Sequence, residues 1–209
     1  MTQNWLIYFI AVLTVALIPG PDMLYIISQS LNHGKRLGLA AALGIGAGCF
    51  VHIFAVSIGL SSFLFHSSLA FSLIKYLGAC YLLYLGIQAL LKKQSALLEN
   101  AHHTVTGSWR KVFIQGLFTN MFNPKVALFF LAFLPQFVTP ASSHSMGLQL
   151  LILGLIFNGI GTFSNVLVAL FFGTAKQWLT AHPAALKIQQ KISGFLFIGL
   201  GLKLAAFER

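Results

Sequence analysis

Two short sets of residues carry most of the chemistry available to this sequence: Pro19-Gly20-Pro21-Asp22 and Asn123-Pro124-Lys125. The first lies inside an apolar run from Trp5 to Ile27, where a bilayer would make an ionisable group and unpaired backbone most costly. Proline removes one backbone donor and clashes with the preceding helical turn, so both runs are expected to break there into half-helices. Asp22 then falls in the first turn of a new half-helix, whose positive dipole end favours an anion, and Lys125 follows Pro124 in the same way. If the two charges meet, they form either a buried ion pair that holds the fold or a pair exchanged for the ammonium and carboxylate of a zwitterion, or for a proton. Intramembrane charges favour the second reading, because desolvation offsets much of the stability of a buried pair. Unwound backbone at Pro19-Gly20-Pro21 and Phe122-Asn123-Pro124 adds carbonyls for an ammonium and helix N-termini for a carboxylate, a pattern that suits an amino acid. Asn123 either satisfies freed backbone groups or hydrogen-bonds the substrate.

Three other polar residues in apolar segments rank lower. An unperturbed imidazole titrates near neutrality, so His52 could relay protons, or it could bond a neighbouring helix. Asn158 and Asn165, seven residues apart, share one helix face toward a cavity or another helix. Enzyme chemistry lacks its parts: no second carboxylate partners Asp22, no Ser-His-Asp set has a plausible elbow, and no glycine loop cradles phosphate. No cofactor or metal site is expected, since the adjacent His102-His103 pair sits in a basic loop without a third ligand. Cys49 and Cys80 both lie in apolar segments and read as small packing residues rather than a disulfide.

The elements that must position these groups follow from composition. Of 209 residues 57% are hydrophobic and 8% charged, with a mean hydropathy of +0.85, which marks an integral membrane protein. With about 20 residues needed to cross a bilayer, spans are expected near 4–31, 38–62, 68–91, 112–139, 147–172 and 187–207, the first and fourth broken at Pro21 and Pro124. In the second, Gly44 and Gly48 have the spacing that lets helix backbones approach closely. Nine of the thirteen Lys and Arg fall in the connections near 32–37, 92–111 and 173–191, and none in those near 63–67 and 140–146. The basic set is therefore expected in the cytoplasm and both termini outside, although Lys203 and Arg209 run against this. The +10 formal charge is topogenic; with no basic amphipathic face, nucleic acid is not an expected partner.

The halves echo each other. Gly20-Pro21-Asp22 aligns with Asn123-Pro124-Lys125, Lys75-Tyr76-Leu77-Gly78 with Lys191-Ile192-Ser193-Gly194, and Gly44, Gly46 and Gly48 with Gly154, Gly159 and Gly161. Three spans per half would place the halves in opposite orientations, giving one transmembrane domain over 1–209: repeat one at about 1–91, a cytoplasmic linker at about 92–111 and repeat two at about 112–209. The stretches Pro19-Gly20-Pro21-Asp22-Met23-Leu24, Gly34-Lys35-Arg36-Leu37-Gly38 and Asn120-Met121-Phe122-Asn123-Pro124-Lys125, with Gly78 and Tyr81 through Gly86, resemble the lysine exporter (LysE/RhtB) family of bacterial inner-membrane amino-acid exporters. The overall pattern is closer to the threonine, homoserine and leucine exporters than to the branch that exports lysine and arginine. The resemblance implies six helices in two inverted halves in the inner membrane and export of neutral amino acids by proton antiport. Implied partners are the amino acid, protons and the lipid bilayer, with a homodimer allowed. A channel or metal-cation transporter is the alternative, and it would want several carboxylates along its path where this sequence offers one.

Overall fold

The computed structural model describes residues 5–17, 20–60, 108–139 and 142–174, with single helical positions between 76 and 91 and between 191 and 205. Apart from those positions, the third and sixth expected spans lie outside the described residues. So do Pro19, His102 and His103. Every regular element among the described residues is helical.

Helices α1 (Trp5–Leu17) and α2 (Pro21–His33) form a pair bent by 50°. Helix α3 (Lys35–Ala55) continues into a π-helical turn, Val56–Leu60. A second bent pair, at 43°, joins α4 (Trp109–Met121) to α5 (Pro124–Leu128), which runs on through a π-helical turn, Phe129–Phe133, into a 3-10 turn, Leu134–Phe137. Helix α6 (Met146–Thr174) is unbroken, and it and α3 are each long and apolar enough to cross a membrane. The first and fourth expected spans are thus each divided beside Pro21 and Pro124. The fourth begins at Trp109, a few residues before the expected 112.

Glycine decides how the helices meet. A Cβ on Gly44 would strike the Phe113 carbonyl, one on Gly48 the Leu117 carbonyl, and one on Gly116 would lie 2.7 Å from the Ala41 carbonyl. The α3–α4 seam is therefore backbone against backbone, and the partners 44/113 and 48/117 advance together, so the two helices run parallel. Helix α6 runs against α3: Gly147 lies by the Ser57 carbonyl, Gly154 by Ile53, and Gly173 by the backbone of Lys35. Lys35 and Arg36 at the start of α3, Arg110 and Lys111 at the start of α4, and the C-terminus of α6 consequently share one end of the molecule. Gly34, at φ 79°, makes the sharp reversal from α2 into α3, a conformation that glycine adopts without penalty.

Aromatic packing ties α1 to the opposite end. Tyr8 meets Phe137 edge-on at 5.2 Å and donates its hydroxyl to the Leu153 carbonyl, while Phe129 and Phe130 both contact Phe157. At the basic end, the Tyr25 hydroxyl of α2 donates to the Val112 carbonyl of α4 at 3.0 Å. The first bent pair therefore lies antiparallel to the second, and their breaks meet. Outward on α1 stand Leu6, Ile10, Leu13 and Leu17, an apolar face suited to lipid.

Gly48→Val is expected to force the α3–α4 seam apart, at a cost of about 1–3 kcal/mol and a melting temperature lower by about 5 °C in detergent. Gly159→Ala, where a new Cβ has nothing within 4 Å, should leave the melting temperature unchanged or slightly raised.

Candidate functional site at the two helix breaks

The two breaks are built alike. Gly20 caps α2 with Pro21 as its first residue and Asp22 as its second; Asn123 caps α5 with Pro124 first and Lys125 second. Proline suits the first helical position, where its missing N–H is one of the unpaired donors in any case. The caps differ in chemistry. Asn123 Oδ1 accepts the Lys125 backbone N–H at 3.0 Å, whereas Gly20 offers no side chain. A Cβ at position 20 would come 2.8 Å from Asp22 Oδ1 and 3.1 Å from Lys125 Nζ, so glycine is what lets these groups approach.

Lys125 Nζ donates to Asp22 Oδ1 at 3.2 Å and to the Val15 carbonyl at 3.2 Å. Both partners follow from the sequence. Val15 lies four residues before Pro19, which has no N–H to close the helical bond to that carbonyl. Asp22 suits the positive N-terminus of α2, but Lys125 stands at the N-terminus of α5, where the helix dipole opposes a cation. Its charge is balanced instead from the other break, by a carboxylate and by a carbonyl at the negative end of α1. Lys125 is only 2% exposed, so protein groups replace water around it almost completely.

The second break has its own substitute donor. Asn120 lies four residues before Pro124, and its carbonyl takes the Asn123 N–H at 2.9 Å and a hydrogen bond from His52 Nε2 at 3.0 Å. A carbonyl only accepts, so the proton of this bond lies on Nε2. His52 thus bonds a neighbouring helix, and its ring also faces Phe130 at 5.9 Å.

Asp22 and Lys125 line a cavity of about 30 Å³, shared with Asn120 of α4 and with Asn158, Thr162 and Asn165 of α6. That is room for about two water molecules. Asn158 and Asn165 therefore face the breaks. Asn123, at the cap of α5, is buried with its Nδ2 lacking a hydrogen-bond partner. Of the expected site residues, Gly20, Pro21, Asp22, Asn123, Pro124 and Lys125 come together, and Pro19 lies outside the described residues. Sequence reasoning missed Thr162 and the Val15 carbonyl. Thr162 stands one turn after Asn158 on the same face, and the proline four residues after Val15 marks its carbonyl.

The family model for LysE-type translocators matches residues 13–207. The chain belongs to this family. Among similar proteins, the homoserine/homoserine lactone efflux protein of Salmonella typhimurium is 31% identical over 210 residues, covering 97% of this chain and 96% of the relative. The leucine efflux protein of the same organism is 26% identical over 211 residues, covering 98% and 96%. An uncharacterized membrane protein of Vibrio cholerae is 31% identical over 204 residues, 96% of each chain. No solved structure matches significantly.

For this translocator the ion pair sets a clear energetic expectation. Lys125→Met should leave the Asp22 charge buried and unpaired, destabilising the protein by about 3–5 kcal/mol. Combining it with Asp22→Asn should recover most of that loss in a detergent unfolding experiment, because no lone buried charge remains.

Proposed function

We propose that this LysE-type translocator exports neutral amino acids such as threonine, homoserine or leucine from the cytoplasm, driven by protons moving inward. The observation that carries the reading is the position of Lys125, held between Asp22 and the Val15 carbonyl where the two helix breaks meet. Lys125, Asp22 and the Val15 carbonyl, which the two charged ends of an amino acid would use, are engaged with one another. A substrate carboxylate can take Lys125 and the amide ends of α2 and α5, and a substrate ammonium can take Asp22 and the Val15 carbonyl. Relatives named as leucine and homoserine efflux proteins, matched over nearly their whole length, support the substrate class.

Six spans in two inverted repeats, with both termini outside the inner membrane, agree with the basic residues gathered at one end of α3 and α4 and with the antiparallel course of the two broken spans. A cavity of about 30 Å³ is too small for an amino acid. Binding therefore requires the walls to part, and the 50° and 43° bends are the natural hinges. Protonation of Asp22 from the outer side releases Lys125 from its partner, and the inward proton supplies about 2.3 kcal/mol per 100 mV of membrane potential.

Everted vesicles carrying the protein should take up labelled neutral amino acids when their lumen is acid. Asp22→Asn should remove the response to the pH gradient and lower uptake by tenfold or more. Uptake at the original rate with the original pH dependence would sink the coupling role of Asp22.

A further inference from the structure

Around the ion pair the cavity wall is unequal. Val15, Ile45, Val126 and Phe157 form an apolar portion, which would accommodate methylene groups of any neutral amino acid. The remaining wall is polar without being charged: Asn120 on α4, and Asn158, Thr162 and Asn165 on α6. Asn158, Thr162 and Asn165 follow one another at helical spacing and so present one face. Thr162 Oγ1 donates to Asn158 Oδ1 at 3.1 Å, which fixes the orientation of both groups, and Gly46 opposite leaves no side chain between α3 and the Thr162 hydroxyl. Asn120 is 3% exposed and its Oδ1 has no hydrogen-bond partner, although its backbone carbonyl is engaged by His52. Buried acceptors without donors are costly, and a ligand that brings a donor removes that cost.

Resting on the reading of the site as an amino-acid exporter, we propose that Asn120 and Thr162, with Asn158 and Asn165 beside them, are specificity-determining residues that select a substrate side chain bearing a hydroxyl over a purely aliphatic one. The hydroxyl donates to Asn120 Oδ1 and accepts from the polar face of α6. An aliphatic side chain of the same size would leave Asn120 Oδ1 buried and unpaired. A site built to bond a hydroxyl rejects the analogue lacking it far better than an apolar pocket rejects an added hydroxyl. The ion pair then reads the parts common to all amino acids, and the α4–α6 wall reads the part that differs.

The test uses the full-length protein in proteoliposomes with labelled homoserine, threonine and leucine at matched concentrations, measuring kcat/KM for each. The expected result is a preference of tenfold or more for the hydroxylated substrates. Asn120→Leu should raise the KM for homoserine about tenfold while lowering that for leucine, inverting the preference. Thr162→Val, which keeps the side-chain shape and so guards against a folding defect, should shift the ratio in the same direction by a few-fold. Equal handling of leucine and homoserine by the unmodified protein, or variants that slow both substrates alike, would overturn this assignment while leaving amino-acid export standing. Transport of none of the three would overturn export itself, and this assignment with it.

Discussion

Proline at positions 19 and 124 deprives the carbonyls of Val15 and Asn120 of their helical donors, and much of the mid-depth architecture answers that deficit. In a bilayer water cannot make up the loss, so another part of the chain must. Lys125 serves Val15, and His52 together with the Asn123 N–H serves Asn120. The first repair crosses between the breaks. The residue that completes the first break belongs to the second, which fixes the two broken spans against each other at that depth and brings Lys125 to Asp22.

This arrangement requires the helices to approach closely, and the glycines permit it. Gly20 leaves space for the ion pair, Gly44 and Gly48 let α3 lie on the backbone of α4, and Gly46 admits the Thr162 hydroxyl. The α3–α4 seam also brings His52, one turn beyond Gly48, to the end of α4, where the Asn120 carbonyl needs it. Aromatic contacts from Tyr8, Phe129, Phe130 and Phe157 close the end opposite the basic residues, while Tyr25 links α2 to α4 near the basic end. Packing and the pairing of the freed backbone carbonyls therefore converge on one geometry.

The breaks were legible in the sequence because proline acts locally: its missing N–H and its clash do not depend on the rest of the fold. Pairing of Asp22 with Lys125 was legible at one remove, since two opposite charges in an apolar chain have few other places to go. The π-helical turns at Val56–Leu60 and Phe129–Phe133 left no such trace, because nothing in these apolar stretches distinguishes a π turn from an α turn before packing acts. Thr162 was hidden for a related reason. A threonine in an apolar helix commonly bonds its own backbone, as Thr14 does to the Ile10 carbonyl, and only the neighbouring α3 reveals that Thr162 instead bonds Asn158 and faces the breaks.

The same dipole logic explains why the pair is suited to exchange as well as to structure. Asp22 is favoured twice, by the N-terminus of α2 and by Lys125, whereas Lys125 is opposed by the N-terminus of α5 and bonded by groups from the other break. A pair in which both members were favoured locally would be hard to open. Here the cation depends on partners across the junction, so neutralising Asp22 or separating the breaks weakens its hold at once. On the proposed function, an incoming carboxylate would meet a lysine and two helix N-termini that all favour an anion. What costs energy in this arrangement would then become attraction for substrate.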